Sequence, residues 1–291
     1  MNDISVKALA KINLGLDVVR RREDGYHEVR MVMQTIHLFD RLEISRNDSG
    51  RITMETNLSF LPTNENNLVY KAAKLLQDEF AIKDGVHVWL HKYIPVAAGM
   101  AGGSTDAAAV LYGMNRIFEL GLTKEQLMER GVKIGADVPY CIMRGTALAE
   151  GIGEKLTKLP PMVKCPVLIA KPQISVSTKF VYENLKLNDN TIHPDIDRLV
   201  ADISEGDLTR IAADMGNVLE TVTIPEYPVI AEIKENMMQN GAVNAMMSGS
   251  GPTVFGLFAD ESTAVKAYEA MKESNLAKQV YLTSIYNNAR K

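Results

Sequence analysis

Pro95-Val-Ala-Ala-Gly99-Met-Ala-Gly102-Gly103-Ser104-Thr105-Asp106 runs directly into Ala107-Ala-Ala-Val-Leu-Tyr-Gly-Met114, and the junction of these two stretches governs the reading of the chain. The first is rich in glycine. The second, continuing to Phe118, reads as a buried, alanine-rich helix. Glycines let the backbone turn its N–H groups toward one point, and the helix end from which they project carries partial positive charge. Together they suit an anion, above all a polyphosphate. Ser104 and Thr105 add hydroxyls for a phosphate oxygen or for Mg²⁺. No lysine precedes this Ser-Thr pair, so the loop is not of the Walker type, and its glycine spacing is not the dinucleotide fingerprint. The alternative is a glycine-rich turn that permits close helix packing.

Upstream, Ile4, Val6, Ala8, Ala10, Ile12, Leu14, Leu16 and Val18 alternate with Ser5, Lys7, Lys11, Asn13 and Asp17. A period of two predicts a strand, or two joined by a bend, with one buried face. Arg20 to Gly25 reads as a turn. Alternation resumes from Glu28 to His37, and shorter strands are expected at Arg41 to Ser45 and Ile52 to Thr56. After Asn67 the spacing becomes helical, with Leu68, Ala72, Leu75, Leu76 and Phe80 on one stripe and Asn66 as the N-cap. Val86 to His91 alternates again. His87 and His91, four apart on a strand, stand about 13 Å apart, too far to share a metal ion, and no metal site is expected. Thr123 and Gln126 form a capping box for the next helix.

Downstream, Pro160-Pro161 marks a boundary, dividing the chain into residues 1–159 and 160–291. Beyond it the expected order is strand (Pro166 to Ala170), helix (Thr178 to Leu185), a helical insert, helix (Tyr227 to Gln239), strand (Val243 to Met247), strand (Thr253 to Phe258), helix (Glu261 to Glu273) and strand (Gln279 to Ile285). Gly241 falls where a helix C-cap glycine belongs. Without the insert this is β-α-β-β-α-β, the split arrangement of ferredoxin-like domains. The fold class is therefore α+β, a mixed α/β N-terminal domain followed by a ferredoxin-like C-terminal domain.

The 291 residues suit about two domains. With 46% hydrophobic and 23% charged residues, a disordered chain, a collagen-like repeat and a coiled coil are excluded. A net charge of −4 argues against a dedicated nucleic-acid binder. No apolar run is long enough to span a membrane, and Met1-Asn2-Asp3-Ile4 does not begin a basic-then-apolar signal pattern, so a cytoplasmic enzyme is expected. Cys141 and Cys165 make no disulfide framework and read as two buried thiols. No lipidation signal or charge block names a macromolecular partner, and a monomer or homodimer is expected.

Four other places can carry chemistry. Lys11 would offset phosphate charge, with Asn13 on the same strand face about 7 Å away; the alternative is a solvent-facing lysine on a half-exposed sheet. Gly135-Ala136-Asp137-Val138-Pro139 places an acid able to orient an alcohol and accept its proton, or to cap the next short helix. In Gly25-Tyr26-His27 an aromatic beside an imidazole can stack on a base and hydrogen-bond its edge, or simply form a hairpin loop. Backbone amides in Met247-Ser248-Gly249-Ser250-Gly251-Pro252 can close over phosphates, or join two strands flexibly.

In this order, these motifs resemble the GHMP kinase superfamily. The residues that carry the likeness are Ala10-Lys11-Ile12-Asn13-Leu14, Asp24-Gly25-Tyr26-His27, Gly99 to Ala108, Gly135 to Pro139 and Ser248 to Pro252, spanning nearly the whole chain. Lys-x-Asn combined with Gly-Tyr-His points to a member acting on a nucleobase-bearing substrate. Mevalonate or homoserine kinases, a non-catalytic relative and a decarboxylase of the superfamily are the alternatives. The resemblance implies ATP-dependent phosphorylation of the 2-hydroxyl of a cytidine-diphosphate-linked methylerythritol in the non-mevalonate isoprenoid route, with Mg²⁺ accompanying ATP. It implies Lys11 and Asp137 as the catalytic pair. ATP would lie on Pro95, Val96, Ala97, Ala98, Gly99, Met100, Ala101, Gly102, Gly103, Ser104 and Thr105, with Asn67 and Leu68 at the adenine. The substrate would meet Asn13, Tyr26, His27, Thr178, Tyr182 and Gly249, Tyr26 and Tyr182 sandwiching the cytosine. Residues 1–159 would be the ATP-binding domain. One departure is visible: Ala101 stands where relatives often carry glycine.

Overall fold

The computed structural model describes residues 2–188 and 190–288. Two long strands open the chain, β1 (Asp3–Arg21) and β2 (His27–Asn47). The described residues form two compact units, one of residues up to Ala10 with Leu38–Val96 and Ala101–Met143, the other of Lys11–His37 with Ala97–Met100 and the residues from Arg144 onward. The sequence predicts a break between strands near Phe39-Asp40, yet β2 continues through it. Asp40 is fully buried and accepts the backbone N–H groups of Tyr93 and Ile94, so a residue that usually ends a strand is satisfied inside one.

In the first unit, β4 (Gly85–His91) pairs antiparallel with the C-terminal half of β2, and β3 (Ile52–Thr56) lies parallel to β4. Val86, Val88 and Leu90 are buried, as their alternation predicts. α1 (Leu68–Glu79) is capped by Asn67, one residue later than expected, its side chain accepting the Val69 N–H at 2.9 Å. α2 spans Gly102–Ile117. The last five residues of the stretch expected as a loop, Gly102 to Asp106, are thus helix, because tertiary packing overrides the low helix propensity of Gly102 and Gly103. The small residues of α2 serve that packing: a Cβ on Gly113 would stand 2.4 Å from Ile44 Cδ1 of β2. α3 (Lys124–Val132) begins with the capping box read from Thr123 and Gln126, both bonds being formed. α4 (Val138–Met143) closes this unit.

In the second unit, β5 (Thr146–Gly151) pairs antiparallel with the N-terminal half of β2 and with β6 (Lys155–Lys158), two strands the pattern analysis leaves out. A separate four-stranded antiparallel sheet holds β7 (Pro166–Lys171), β9 (Asn244–Met247), β10 (Val254–Leu257) and β11 (Gln279–Ser284) in the order β11-β7-β10-β9. Fourth, first, third, second is the ferredoxin-like order, as expected. α9 (Val229–Gln239) and α10 (Glu261–Glu273) cover it. α5 (Thr178–Asn184) follows β7, and the insert then comprises α6 (Ile196–Glu205), α7 (Leu208–Asp214), the short strand β8 (Gly216–Asn217) parallel to β1, and α8 (Glu220–Glu226).

α6 changes the environment of β1. A Cβ on Gly15 would lie 2.7 Å from Leu199 Cδ2 and 2.8 Å from Ile196 Cδ1, so the helix packs directly on the polar face of the strand. Lys11, Asn13 and Asp17 are buried, and the half-exposed sheet of the alternative reading does not exist here. Cys141 and Cys165 are free and buried, and burial pushes the Cys165 thiol up to about 12. No helix among the described residues is long and apolar enough to cross a membrane. Thr123→Ala should lower the unfolding free energy by about 1 kcal/mol with little change in the denaturant slope, measured by urea titration.

Candidate active site

Asn67, Thr123, Ser177, Asp195, Asp207 and Asp260 each cap a helix with a side-chain oxygen. At α2 the N-cap is Ala101, which has no such group. The N–H groups of Gly102, Gly103 and Ser104 open the helix without a side-chain cap, and Thr105 N–H is the first to find an in-helix acceptor, Ala101 O at 2.9 Å. Thr105 Oγ1 is buried with no hydrogen-bond partner among the described residues. Uncapped amides, an unused hydroxyl and the positive end of a sixteen-residue helix form an anion-binding arrangement.

The backbone before it is held in an uncommon conformation. Ala97, Gly99 and Ala101 have φ of 50°, 69° and 55°. Left-handed alanines cost about 1–2 kcal/mol each, and such residues cluster where a binding geometry is imposed. Only glycine fits at position 99, where a Cβ would stand 2.0 Å from the carbonyl oxygen of Ser248.

Within the first unit, the start of α2 meets two other predicted site segments. A Cβ on Gly103 would be 3.5 Å from Leu68 Cδ1, and one on Gly135 would be 4.0 Å from Ser104 Oγ. Asn67 spends its side chain on capping α1 and on the Pro62 carbonyl. Asp137 precedes α4 and its carbonyl accepts Cys141 N–H at 3.0 Å. Its half-buried carboxylate has no hydrogen-bond partner within its unit among the described residues, so capping does not occupy it.

Within the second unit, Lys11 N–H donates to Met100 O at 3.2 Å, which ties β1 to the segment 97–100. Lys11 Nζ donates to Asn13 Oδ1 at 2.6 Å, and Asn13 Nδ2 lies 3.5 Å from Met31 Sδ. The Lys11 amino group is thus buried, with the Asn13 side-chain oxygen as its acceptor. Ser248 Oγ donates to Gly99 O at 3.0 Å, and Gly249 packs against Gly99. The Thr178 and Ser250 hydroxyls lie 2.8 Å apart. His27 and Tyr182 stand with ring centroids 5.1 Å apart, and a cavity of about 340 Å³ opens beside them, lined also by Val19, Arg21 and Leu185. Burial and the charge of Arg21 hold His27 below the ordinary imidazole range, so it is neutral at pH 7. Tyr26 is 61% exposed.

The chain matches the models of the GHMP kinases N terminal domain over residues 67–145 and GHMP kinases C terminal over residues 199–277. It is 58% identical to the 4-diphosphocytidyl-2-C-methyl-D-erythritol kinase of Lachnospira eligens, over 98% of this chain and 99% of that one. It is 56% identical to the enzyme of the same name from Lachnoclostridium phytofermentans, over 99% of each. The chain belongs to the GHMP kinase family, within it to the 4-diphosphocytidyl-2-C-methyl-D-erythritol kinases. A crystal structure of 4-(cytidine 5'-diphospho)-2C-methyl-D-erythritol kinase superposes with a TM-score of 0.85 at 29% identity, covering 98% of this chain and 100% of that one. Homoserine kinase from Cytophaga hutchinsonii shares the fold, with a TM-score of 0.82 at 21% identity, covering 100% and 96%.

Three parts of this GHMP kinase's site region escape sequence reasoning. Asn217 Nδ2 donates to the carbonyls of Met247 at 2.9 Å and Gly249 at 2.8 Å, fixing the Gly-Ser-Gly loop. Glu220 accepts the Met247 N–H at 2.8 Å. Lys92 bridges two buried carboxylates, Asp40 and Asp106. An isolated Asn or Glu in a helical insert carries no signal. An Asp directly after Ser104-Thr105 was on view, but its partner lies on another strand. Gly99→Ala in this GHMP kinase should lower the melting temperature by several degrees, the left-handed φ and the Ser248 carbonyl together costing about 2–4 kcal/mol; differential scanning calorimetry measures it.

Proposed function

We infer that this GHMP kinase transfers the γ-phosphoryl group of ATP to the 2-hydroxyl of 4-diphosphocytidyl-2-C-methyl-D-erythritol, in the non-mevalonate route to isoprenoids. The observation that carries the site assignment is the uncapped first turn of α2 with its unpartnered Thr105 hydroxyl, which calls for a phosphate-bearing ligand. The neutral His27 beside Tyr182 calls for a base with donor and acceptor edges, and supports the cytidine end. In this reading Tyr26 swings onto the exposed face of that base, Asn13, Thr178 and Gly249 contact the remainder of the substrate, and Asn67 and Leu68 border the adenine.

The reaction forms a bond between the 2-oxygen and Pγ and breaks the bond from Pγ to the β,γ-bridging oxygen, releasing ADP. Its loose transition state spreads charge over the equatorial oxygens, so catalysis is positioning and electrostatics. Lys11 Nζ supplies the positive charge for those oxygens, exchanging its hydrogen bond to Asn13 for them. Asp137 orients the hydroxyl first and takes its proton late, once the forming O–Pγ bond has made that proton acidic. Mg²⁺ with ATP would supply further charge neutralisation at the phosphates, and the Ser104 and Thr105 hydroxyls are the groups to hold it, since no cluster of three His, Cys, Asp or Glu side chains suited to a metal occurs among the described residues. We place the domain division at residues 159/160; the family matches at 67–145 and 199–277 fall on either side of it. A cytoplasmic monomer or homodimer with no nucleic-acid partner completes the reading.

ADP release should be rapid with the cytidine-linked polyol and at least about 100-fold slower with mevalonate or homoserine; release with either of those instead replaces the substrate assignment. Asp137→Asn should lower kcat by roughly 10²–10⁴ with both KM values little changed, and equal loss in affinity contradicts its role. Tyr26→Ala should raise KM for the cytidine substrate about tenfold or more, with KM for ATP unchanged.

A further inference from the structure

The first turn of α2 rests on a buried ion cluster. Lys92, directly after β4, is 7% exposed, Asp40 of β2 is fully buried and Asp106, on α2 itself, is 2% exposed. Lys92 Nζ donates to Asp106 Oδ2 at 2.8 Å and also to Asp40 Oδ2. Asp40 Oδ1 is anchored by the Tyr93 N–H at 2.5 Å and the Ile94 N–H at 2.8 Å, which lie just before Pro95. A Cβ on Gly102 would lie 3.1 Å from Lys92 Nζ and 3.3 Å from Ile94 Cγ2, so the ammonium sits directly against the backbone of the turn that presents the free amides. Asp106 Oδ1 has no hydrogen-bond partner among the described residues.

A carboxylate beneath an anion-binding helix end would repel a polyphosphate, and an ammonium held against it offsets that repulsion. The same ammonium is the mechanical link: one hydrogen bond reaches Asp106 on α2, the other reaches Asp40 of β2, which holds the Tyr93 and Ile94 amides just before the loop. Burial works against a charged Lys92, but its two acidic neighbours outweigh this and its pKa is raised, so it is an ammonium at neutral pH. Burial, with the nearby Asp40, pushes Asp106 well above the usual carboxylate range despite Lys92.

We propose that Lys92 and Asp106 are positioning residues for the ATP phosphates: through their hydrogen bond the cluster holds the first turn of α2, with the amides of Gly102, Gly103 and Ser104 and the Thr105 hydroxyl, in the register that ATP requires. This deepens the ATP-site reading of the same loop and rests on it. Neither side chain needs to touch the nucleotide, since both lie beneath the helix.

The test compares steady-state kinetics of the full chain. Asp106→Ala cuts the link to α2 and leaves Lys92 paired with Asp40. It should raise KM for ATP about tenfold and leave KM for the cytidine substrate within about twofold. Asp106→Asn keeps an oxygen that accepts from Lys92 Nζ and should hold KM for ATP within about threefold of the parent. Should the alanine variant not fold, Lys92→Arg, whose larger head group cannot fit under Gly102 without lifting the turn, should give the same selective rise. A folded Asp106→Ala enzyme with unchanged KM for ATP, an equal rise in both KM values, or an asparagine variant as impaired as the alanine one overturns the proposal. Thr105→Val separates the two levels. If it leaves KM for ATP unchanged, the loop reading itself fails and takes the proposal with it; if it raises that KM while Asp106→Ala does not, only the positioning role fails.

Discussion

A helix begins with amide hydrogens that nothing inside it can accept, and a protein must place something there. At six helices of this chain that partner is an Asn, Asp, Ser or Thr oxygen, while α8 and α9, like α2, have no side-chain cap. At α2 the chain offers Ala101, and leaves the Thr105 hydroxyl without a partner one turn away. Much of the surrounding structure bears on this unfilled demand. Gly99 lies against Ser248, so that the segment before the helix is fixed by the late loop, and that loop is fixed in turn by Asn217 and Glu220. Strain, anchoring and an unmet hydrogen-bonding capacity converge on about ten consecutive residues, the segment proposed to hold ATP.

Much of the architecture was readable because it rests on local periodicity. The alternation of β1, the Val86-Val88-Leu90 stripe, the Thr123–Gln126 box and the strand–helix order after residue 160 each reflect a pattern within a few residues, and each has its counterpart in the structure. What escaped depends on partners distant in the chain. Asp40 reads as an interruption until Tyr93 and Ile94 donate to it. Lys11 reads as solvent-facing until α6, some 185 residues later in the sequence, settles on Gly15 and covers the face it shares. Gly102 and Gly103 read as loop because their intrinsic preference opposes helix, and only the packed small-residue stripe behind them reverses it.

The candidate site divides along the same line. Motif residues such as Lys11, Asp137 and the Gly-Tyr-His segment are visible because their types are unusual for their local context. The groups that fix the Gly-Ser-Gly loop and the first turn of α2 are ordinary types in ordinary contexts. Asn217, Glu220, Asp40 and Lys92 become informative only when the atoms they bond are known. The kinship with 4-diphosphocytidyl-2-C-methyl-D-erythritol kinases extends over almost the full chain, so it covers this supporting framework along with the motifs.

In the ATP site proposed for this loop, Ala97 and Ala101, both in the left-handed region, bear on the energetics of nucleotide capture. A methyl group at these positions sharply narrows the conformations open to the ligand-free loop, where glycine would leave it to wander. Less disorder then remains to be frozen out on association. The chain has accepted enthalpic strain in the resting enzyme in exchange for a smaller entropic loss at the moment of encounter.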